Sequence, residues 1–80
     1  MAKRRVMFTF PTNLIQEPII YNLALKFTVV TNVRQADVSE NEGWVMLELE
    51  GEEADIEDGL QWVSDKGVRV DPVTGSALEG

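Results

Sequence analysis

The sequence contains no cysteine and no histidine, and these two absences exclude most chemistry that depends on a reactive side chain. Without cysteine the chain has no disulfide, no thiolate nucleophile and no iron–sulfur ligand. Without histidine no imidazole can activate the hydroxyls of Ser39, Ser64 or Ser76, and the usual zinc ligands are missing. We therefore expect no catalytic residues, no metal and no cofactor, and we interpret the protein as something other than an enzyme.

Phosphate-binding and calcium-binding motifs are also missing. The chain has no Walker A and no G-x-G-x-x-G motif, and its acidic residues do not match the calcium-loop spacing D-x-[DN]-x-[DN]-G. Acidic residues crowd the stretch from Glu48 to Asp58. A solvated strand face and the positive end of a helix dipole account for them.

Basic charge and long apolar runs are scarce as well. The formal charge is −7 and the pI is about 4.3, which argues against nucleic-acid binding, since phosphate recognition needs clustered Lys and Arg. No stretch approaches the ~18 apolar residues of a membrane span. The basic start, MAKRR, precedes an apolar run too short for a signal peptide. We expect a cytoplasmic protein that does not insert into a membrane.

Hydrophobic periodicity predicts the order β-α-β-β-α-β. Alternating Val6, Phe8 and Phe10 mark the first strand, over residues 5–10, and Pro18 fits the first turn of the helix that follows. Further strands are predicted over residues 29–38, 43–51 and 68–70, around a polar turn at 39–43. A second helix starts in the acidic stretch at Glu52 and stops at Lys66-Gly67.

This order predicts an α+β, ferredoxin-like βαββαβ sandwich, with a four-stranded antiparallel sheet and two helices on one face. We expect one domain over residues 1–73 and a flexible C-terminal tail over 74–80, within a polar stretch that starts at residue 71. The predicted inward faces are formed by Ile19, Ile20, Leu23, Ala24 and Phe27 of the first helix, Val45, Leu47 and Leu49 of the third strand, and Ile56, Leu60 and Val63 of the second helix.

Two surfaces are left without an intramolecular role in this scheme. Tyr21 and Leu25 lie one turn apart on the outer side of the first helix. The uncovered sheet face should carry Met7, Thr9, Trp44, Met46 and Glu48. Exposed apolar patches mark interaction sites, so this face is a dimer seam, a place for the tail, or a base-stacking platform for RNA. Its single aromatic residue and its glutamates argue against RNA.

Asn32 is a polar residue inside a predicted strand, and the residues alone leave two alternatives for it. It caps or turns the chain between helix and strand, with its amide bonded to local backbone groups. Alternatively, its amide faces a ligand or partner, since one side chain supplies both a donor and an acceptor.

Several segments resemble the NIL domain, a family that takes its name from an Asn-Ile-Leu motif. The matching segments are Pro18-Ile19-Ile20, Thr31-Asn32-Val33-Arg34 with Ala36 and Val38, Gly43, Leu49-Glu50-Gly51, and GLQWVSDKGVRV at 59–70. The resemblance runs from Arg4 to Val73. It is closest to short, free-standing NIL proteins of cyanobacteria, with their RRV-TFP opening and EGW-LELEG strand.

The resemblance implies an ACT-like regulatory domain. NIL domains are best known at the C-terminus of the ATPase subunit of bacterial methionine importers, where they pair as dimers and bind methionine near the dimer interface to inhibit transport. It implies ligand-binding residues Asn32, Val33 and Arg34. Here a cation, Arg34, replaces the apolar third residue of the motif, where it either meets a ligand carboxylate or pairs with the acidic surface.

Our interpretation is a homodimeric regulatory domain that senses a small ligand, such as methionine or another amino acid, and acts on an unidentified protein partner in trans. The alternative is a protein–protein interaction module with no small-molecule ligand. Its interaction surface is Trp44 and Met46, or Tyr21 and Leu25.

Overall fold

A four-stranded antiparallel sheet forms one layer of the molecule. The structure, a computed structural model, describes residues 1–14, 17–39 and 42–73. Its elements are β1 (Ala2–Pro11), a short 3₁₀ helix (Thr12–Leu14), α1 (Ile19–Phe27), β2 (Val30–Val38), β3 (Glu42–Gly51), α2 (Glu53–Asp65) and β4 (Arg69–Pro72). The strands lie in the order β2-β3-β1-β4. The predicted β-α-β-β-α-β order and ferredoxin-like α+β class are confirmed.

The two central strands, β1 and β3, have the clearest alternation in the sequence, and their pairing explains it. Val6 lies opposite Leu47, and both side chains are fully buried beneath the helices. The next pair along, Met7 and Met46, faces the other way and is only half-buried. Period-two alternation has therefore separated a core face from an open face, as predicted.

Helix ends follow from local chemistry. Pro18 is the N-cap residue of α1, and the helix ends at Thr28, which adopts the left-handed conformation with φ 55° and ψ 48°. Glu53 and Asp55 lie in the first turn of α2, where negative charge complements the helix dipole. The chain leaves α2 at Gly67, whose φ is 104°, a conformation that glycine adopts without strain.

The core lies between the sheet and the inner faces of both helices. Phe8 and Phe10 meet edge to face, with ring centroids 6.2 Å apart. Tyr21 and Leu25 lie outside this core, each 65% exposed. The buried hydrophobic residues are Val6, Phe8, Phe10, Ile19, Leu23, Val29, Leu47, Leu49, Ile56, Val63 and Val68.

Predicted boundaries differ from the structure in several elements. β2 begins at Val30 instead of residue 29, and Pro18 and Glu52 are the N-cap residues of their helices rather than the first helical residues.

β1 is longer than predicted, and β3 begins at Glu42, so the turn predicted for residues 39–43 is shorter. The last strand is displaced to Arg69–Pro72, because its register with β1 extends to Pro72 opposite Val6. The predicted tail, residues 74–80, lies outside the described residues.

Neither helix in the described part of the chain has the length and apolar character needed to cross a membrane.

Candidate functional site

The predicted ligand-binding residues Asn32, Val33 and Arg34 lie on β2, an edge strand of the sheet. Asn32 pairs with Glu48, and Val33 pairs with the buried core residue Leu47. Because successive strand residues alternate between faces, Asn32 lies on the open face and Val33 on the helix side. Within one chain, the three residues therefore do not converge on a common cavity.

Asn32 is exposed and is the third residue of β2. It lies inside the ladder rather than at the turn after α1, so a capping role does not explain it. On the open face its cross-strand neighbour Glu48 accepts a hydrogen bond from Arg5 Nε at 3.4 Å. The amide thus lies beside an ion pair, within reach of solvent, where a ligand or a second chain can approach it.

A β-bulge places Arg34 out of register. The pairing with β3 shifts between Val33 and Gln35, which leaves Arg34 as the extra residue, and its side chain is exposed. No ion pair to Arg34 forms among residues 1–14, 17–39 and 42–73. Of the two roles predicted for this cation, pairing with the chain's own acidic surface is therefore not seen within a single chain.

The open sheet face has an apolar centre and a charged rim. Thr9 lies opposite Trp44 at the end of the face where β4 begins. Nearby, Arg69 Nε and Asp71 Oδ2 form an ion pair 3.0 Å apart. An open depression of about 410 Å³ is lined by Met7, Thr9, Glu42, Trp44, Arg69 and Asp71. The structure thus places Trp44 and Met46 on one surface, as predicted.

A second cavity lies on the helix side, and sequence reasoning missed it. This α1–β2 groove, about 230 Å³ in volume, separates the start of α1 from the end of β2. It is smaller than the roughly 300–1,000 Å³ typical of pockets for drug-sized ligands. The residues that line it are Phe10, Glu17, Pro18, Ile19, Ile20, Tyr21, Val38 and Val45.

One of the two exposed apolar residues of α1 borders this groove. Tyr21 forms part of its lining together with Val38 of β2, and Leu25 lies one helical turn further along α1. Of the predicted interaction residues, Tyr21 therefore lies beside β2 and Leu25 is exposed on the same helix, whereas Trp44 and Met46 lie on the open face. The sequence indicated both patches but not that Tyr21 adjoins β2.

Carboxylates are numerous but do not converge. Within the described ranges no group of three or more acidic side chains is arranged to hold a metal ion. Arg4 instead bridges two of them, with Nη1 2.6 Å from Glu57 Oε1 and Nη2 3.2 Å from Glu53 Oε1.

Comparison with known proteins gives one family and a structural likeness. A search of curated proteins gives no significant match. The chain resembles the crystal structure of the C-terminal domain of an ABC transporter ATP-binding protein from Enterococcus faecalis, with a TM-score of 0.77 and 18% sequence identity. The match covers 90% of this chain and 84% of that one, and at this identity it shows a shared fold.

The family model of the NIL domain matches residues 4–72. This range includes both helices, three complete strands, most of β1 and the motif that contains Asn32, so the chain belongs to the NIL domain family.

Proposed function

We propose that this chain is a non-catalytic regulatory domain of the cytoplasm that binds a small ligand at β2 and acts, as a homodimer, on a protein partner. Membership of the NIL family supports a regulatory role. A second support is the likeness of the fold to the C-terminal domain of an ABC transporter ATP-binding protein. Methionine is the first ligand to test, and other amino acids follow.

The observation that carries the proposal is the position of Asn32. An asparagine is unfavourable inside a strand, and here it is exposed in mid-strand rather than at a turn. Asn32 and Arg34 are both exposed and lie two residues apart on β2. The two ends of an amino acid suit this pair, since an amide offers a donor and an acceptor and a guanidinium attracts a carboxylate.

Regulation would proceed by thermodynamic linkage between ligand binding and the binding of a partner or a second copy. A ligand that binds one assembled or partner-bound state more tightly than another shifts the equilibrium between them by the difference in binding free energy. No catalytic step is required, which agrees with a chain that has neither cysteine nor histidine.

The test is a backbone-amide NMR titration with L-methionine and a panel of other amino acids. Saturable shifts centred on Asn32 to Arg34 are expected, and Asn32→Ala should abolish them. Gln35→Ala is the matched control, because Gln35 is an exposed amide on the same strand and the same face. A flat response across the panel, or equal losses in both variants, would overturn ligand sensing at Asn32.

The second candidate function is protein–protein interaction with no small ligand. It is favoured by the half-buried Trp44 and Met46 on an uncovered sheet face and by the exposed Tyr21 and Leu25. Under this alternative Asn32→Ala leaves complex formation unchanged, whereas Trp44→Ala or Leu25→Ala weakens it.

A further inference from the structure

Trp44 lies in a row of residues that crosses the open sheet face from one edge to the other. Asp37 of β2 is opposite Trp44 on one side and Thr9 of β1 on the other, and Arg69 of β4 follows beyond Thr9. Glu42 lies two residues before Trp44 on β3 and therefore shares its face. The register thus places the half-buried tryptophan beside two exposed carboxylates, those of Asp37 and Glu42.

These two carboxylates have no cation of their own. The basic residue of the same row, Arg69, is already paired with Asp71 at 3.0 Å. In the part of the chain that the structure describes, no ion pair to Asp37 or Glu42 forms. Two negative charges therefore flank an aromatic ring without a positive charge between them.

The other tryptophan of the chain has such a cation. Lys66 Nζ lies 5.2 Å from the centroid of the Trp62 ring and 3.1 Å from Glu17 Oε1. An aromatic face and a carboxylate thus hold one ammonium group together, and tryptophan is the aromatic side chain that attracts a cation most strongly. Trp44 and its two carboxylates repeat this combination of groups without the cation.

The surface around Trp44 is large enough for a segment of a polypeptide. The open depression of about 410 Å³ at Trp44 adjoins a second one of about 380 Å³, which extends to Pro11 at the end of β1. Thr9, Glu42 and Arg69 line both of them, so the two form one trough. Each is within the range of roughly 300–1,000 Å³ that is typical of sites for drug-sized ligands, which is more than a single ion requires.

Charge indicates which kind of molecule fits the trough. The chain has a formal charge of −7, and a second copy stacked on this face would bring the same carboxylates against each other. Residues 74–80 carry one acid, Glu79, and no basic residue, so the tail does not complement the face either. Electrostatic complementarity therefore favours a basic partner.

We propose that the open face binds a basic segment of a partner protein, with an arginine side chain stacked on Trp44 and held by the carboxylates of Asp37 and Glu42. This inference rests on the protein partner of the proposed function and names its chemistry. Arginine suits the site better than lysine, because its planar guanidinium stacks on aromatic rings and donates several hydrogen bonds to carboxylates. Met7 and Met46, paired in the adjacent row, supply flexible apolar contacts for the rest of the segment.

An NMR titration with a capped peptide of alternating arginine and alanine residues tests the proposal. Saturable shifts are expected at the indole N–H of Trp44 and at the backbone amides of Thr9 and Met46. The same peptide with citrulline, which keeps the shape of arginine but not its charge, should not bind, and a lysine version should bind more weakly. Added salt should weaken binding, since it screens exposed charges. A flat response to the arginine peptide would overturn the proposal.

Variants of the face identify the groups that bind. Trp44→Leu should raise the dissociation constant about tenfold, because it removes the ring and keeps an apolar side chain. Asp37→Asn and Glu42→Gln should each raise it by about two- to fivefold. The matched controls are Tyr21→Leu, an exposed aromatic residue on α1, and Asp58→Asn, an exposed acid on α2, and both should leave it unchanged. Equal losses in the controls would mean attraction to net charge alone and would overturn the site.

The remaining outcomes separate this inference from the proposed function and from other occupants of the face. A flat peptide titration with an intact methionine response at Asn32 would overturn the basic segment and keep ligand sensing, and the reverse result would do the opposite. Nuclear Overhauser effects between Trp44 and Leu78 in the free chain would show that the tail covers the face. Indole shifts that depend on protein concentration without peptide would show that a second copy does. Either result would overturn the proposed occupant.

Discussion

Gly59 of α2 lies directly against Leu23 of α1, so closely that a β-carbon built on Gly59 would be 2.7 Å from Leu23 Cδ1. Leu23 is fully buried, and its side chain therefore has little room to move away. Glycine costs a helix interior about 1 kcal/mol relative to alanine. Its presence here is explained by the close approach of the two helices that cover the sheet.

Gly59→Ala should therefore destabilise the fold, even though alanine is a better helix former than glycine. Overpacking a core costs about 1–3 kcal/mol, against a gain of about 1 kcal/mol in helix propensity, so a net loss of up to about 2 kcal/mol is expected. Urea denaturation followed by circular dichroism measures it.

The control is Gly59→Ala in a background in which Leu23 is shortened to alanine. Leu23→Ala alone should cost about 2–5 kcal/mol through the cavity it creates. In that background Gly59→Ala should become stabilising by about 1 kcal/mol, because the clash is gone and the propensity gain remains. An additive double-mutant cycle would show that the two residues do not interact.

Thr28 ends α1 with φ 55°, a left-handed conformation in which a β-branched residue is strained. The conformation costs about 1–2 kcal/mol for an L-residue, and Asn tolerates it better. Thr28→Asn should therefore raise the free energy of unfolding by up to about 1 kcal/mol.

Gly67, at the end of α2, provides the opposite control, because there a residue suited to a positive φ is replaced by one that is not. Gly67 has φ 104°, and the contact that a β-carbon there would make within the described residues is with Leu14 Cδ1, at an ordinary 3.5 Å. Gly67→Ala should destabilise through the backbone alone, by about 1 kcal/mol or more. If Thr28→Asn lowers the urea midpoint, the side chain of Thr28 has a stabilising role that outweighs its backbone strain.

The strands that the sequence predicted best are those with one buried face and one face that is more exposed to solvent. In β1 every second residue from Val6 to Phe10 is buried, and in β3 Leu47 and Leu49 are buried on the same face. Period-two alternation is a local signal that needs no knowledge of the partner strand. β2 has no such signal, because it is exposed on both faces and its bulge at Arg34 reverses the alternation halfway. The position of β2 at the edge of the sheet is set by its pairing with β3. This pairing cannot be read from the residues of β2 alone.

The candidate site divides in the same way. Asn32 and Arg34 were identified because they match positions of the NIL motif, and a motif can be recognised in a sequence without knowledge of the fold. That Asn32 and Val33 face opposite sides, and that Tyr21 and Val38 border one groove, depends on strand register and helix position. These are tertiary properties, so composition and spacing could not show them.

Arg4 joins β1 to α2 through two carboxylates, those of Glu53 and Glu57. These acids are four residues apart on one helix, where like charges repel by a few tenths of a kcal/mol. Arg4→Met should cost about 1 kcal/mol at low salt, since it removes two partly exposed ion pairs and leaves that repulsion. Raising the salt concentration should shrink the difference between the two proteins.

The matched comparison for Arg4→Met is Arg5→Met. Arg5 makes one longer contact, 3.4 Å, to Glu48 on the open face, so its loss should be smaller and less dependent on salt. Urea titrations of both variants at low and high NaCl provide the measurement. A salt-independent loss for Arg4→Met would mean that its aliphatic stem, rather than its charge, stabilises the contact with α2.

Asn32→Val separates a functional residue from a structural one. Asn32 is exposed in mid-strand, and valine is favoured in strands where asparagine is disfavoured, on a scale that spans about 1 kcal/mol. The variant should therefore be as stable as the wild type or up to about 1 kcal/mol more stable, while its response to amino acids in the NMR titration disappears. Gln35→Val, on the same strand and face, should keep that response. A loss of stability in Asn32→Val would instead assign the amide a structural role in the ladder beside Glu48. A residue that strand propensity disfavours indicates function only when replacing it does not weaken the fold.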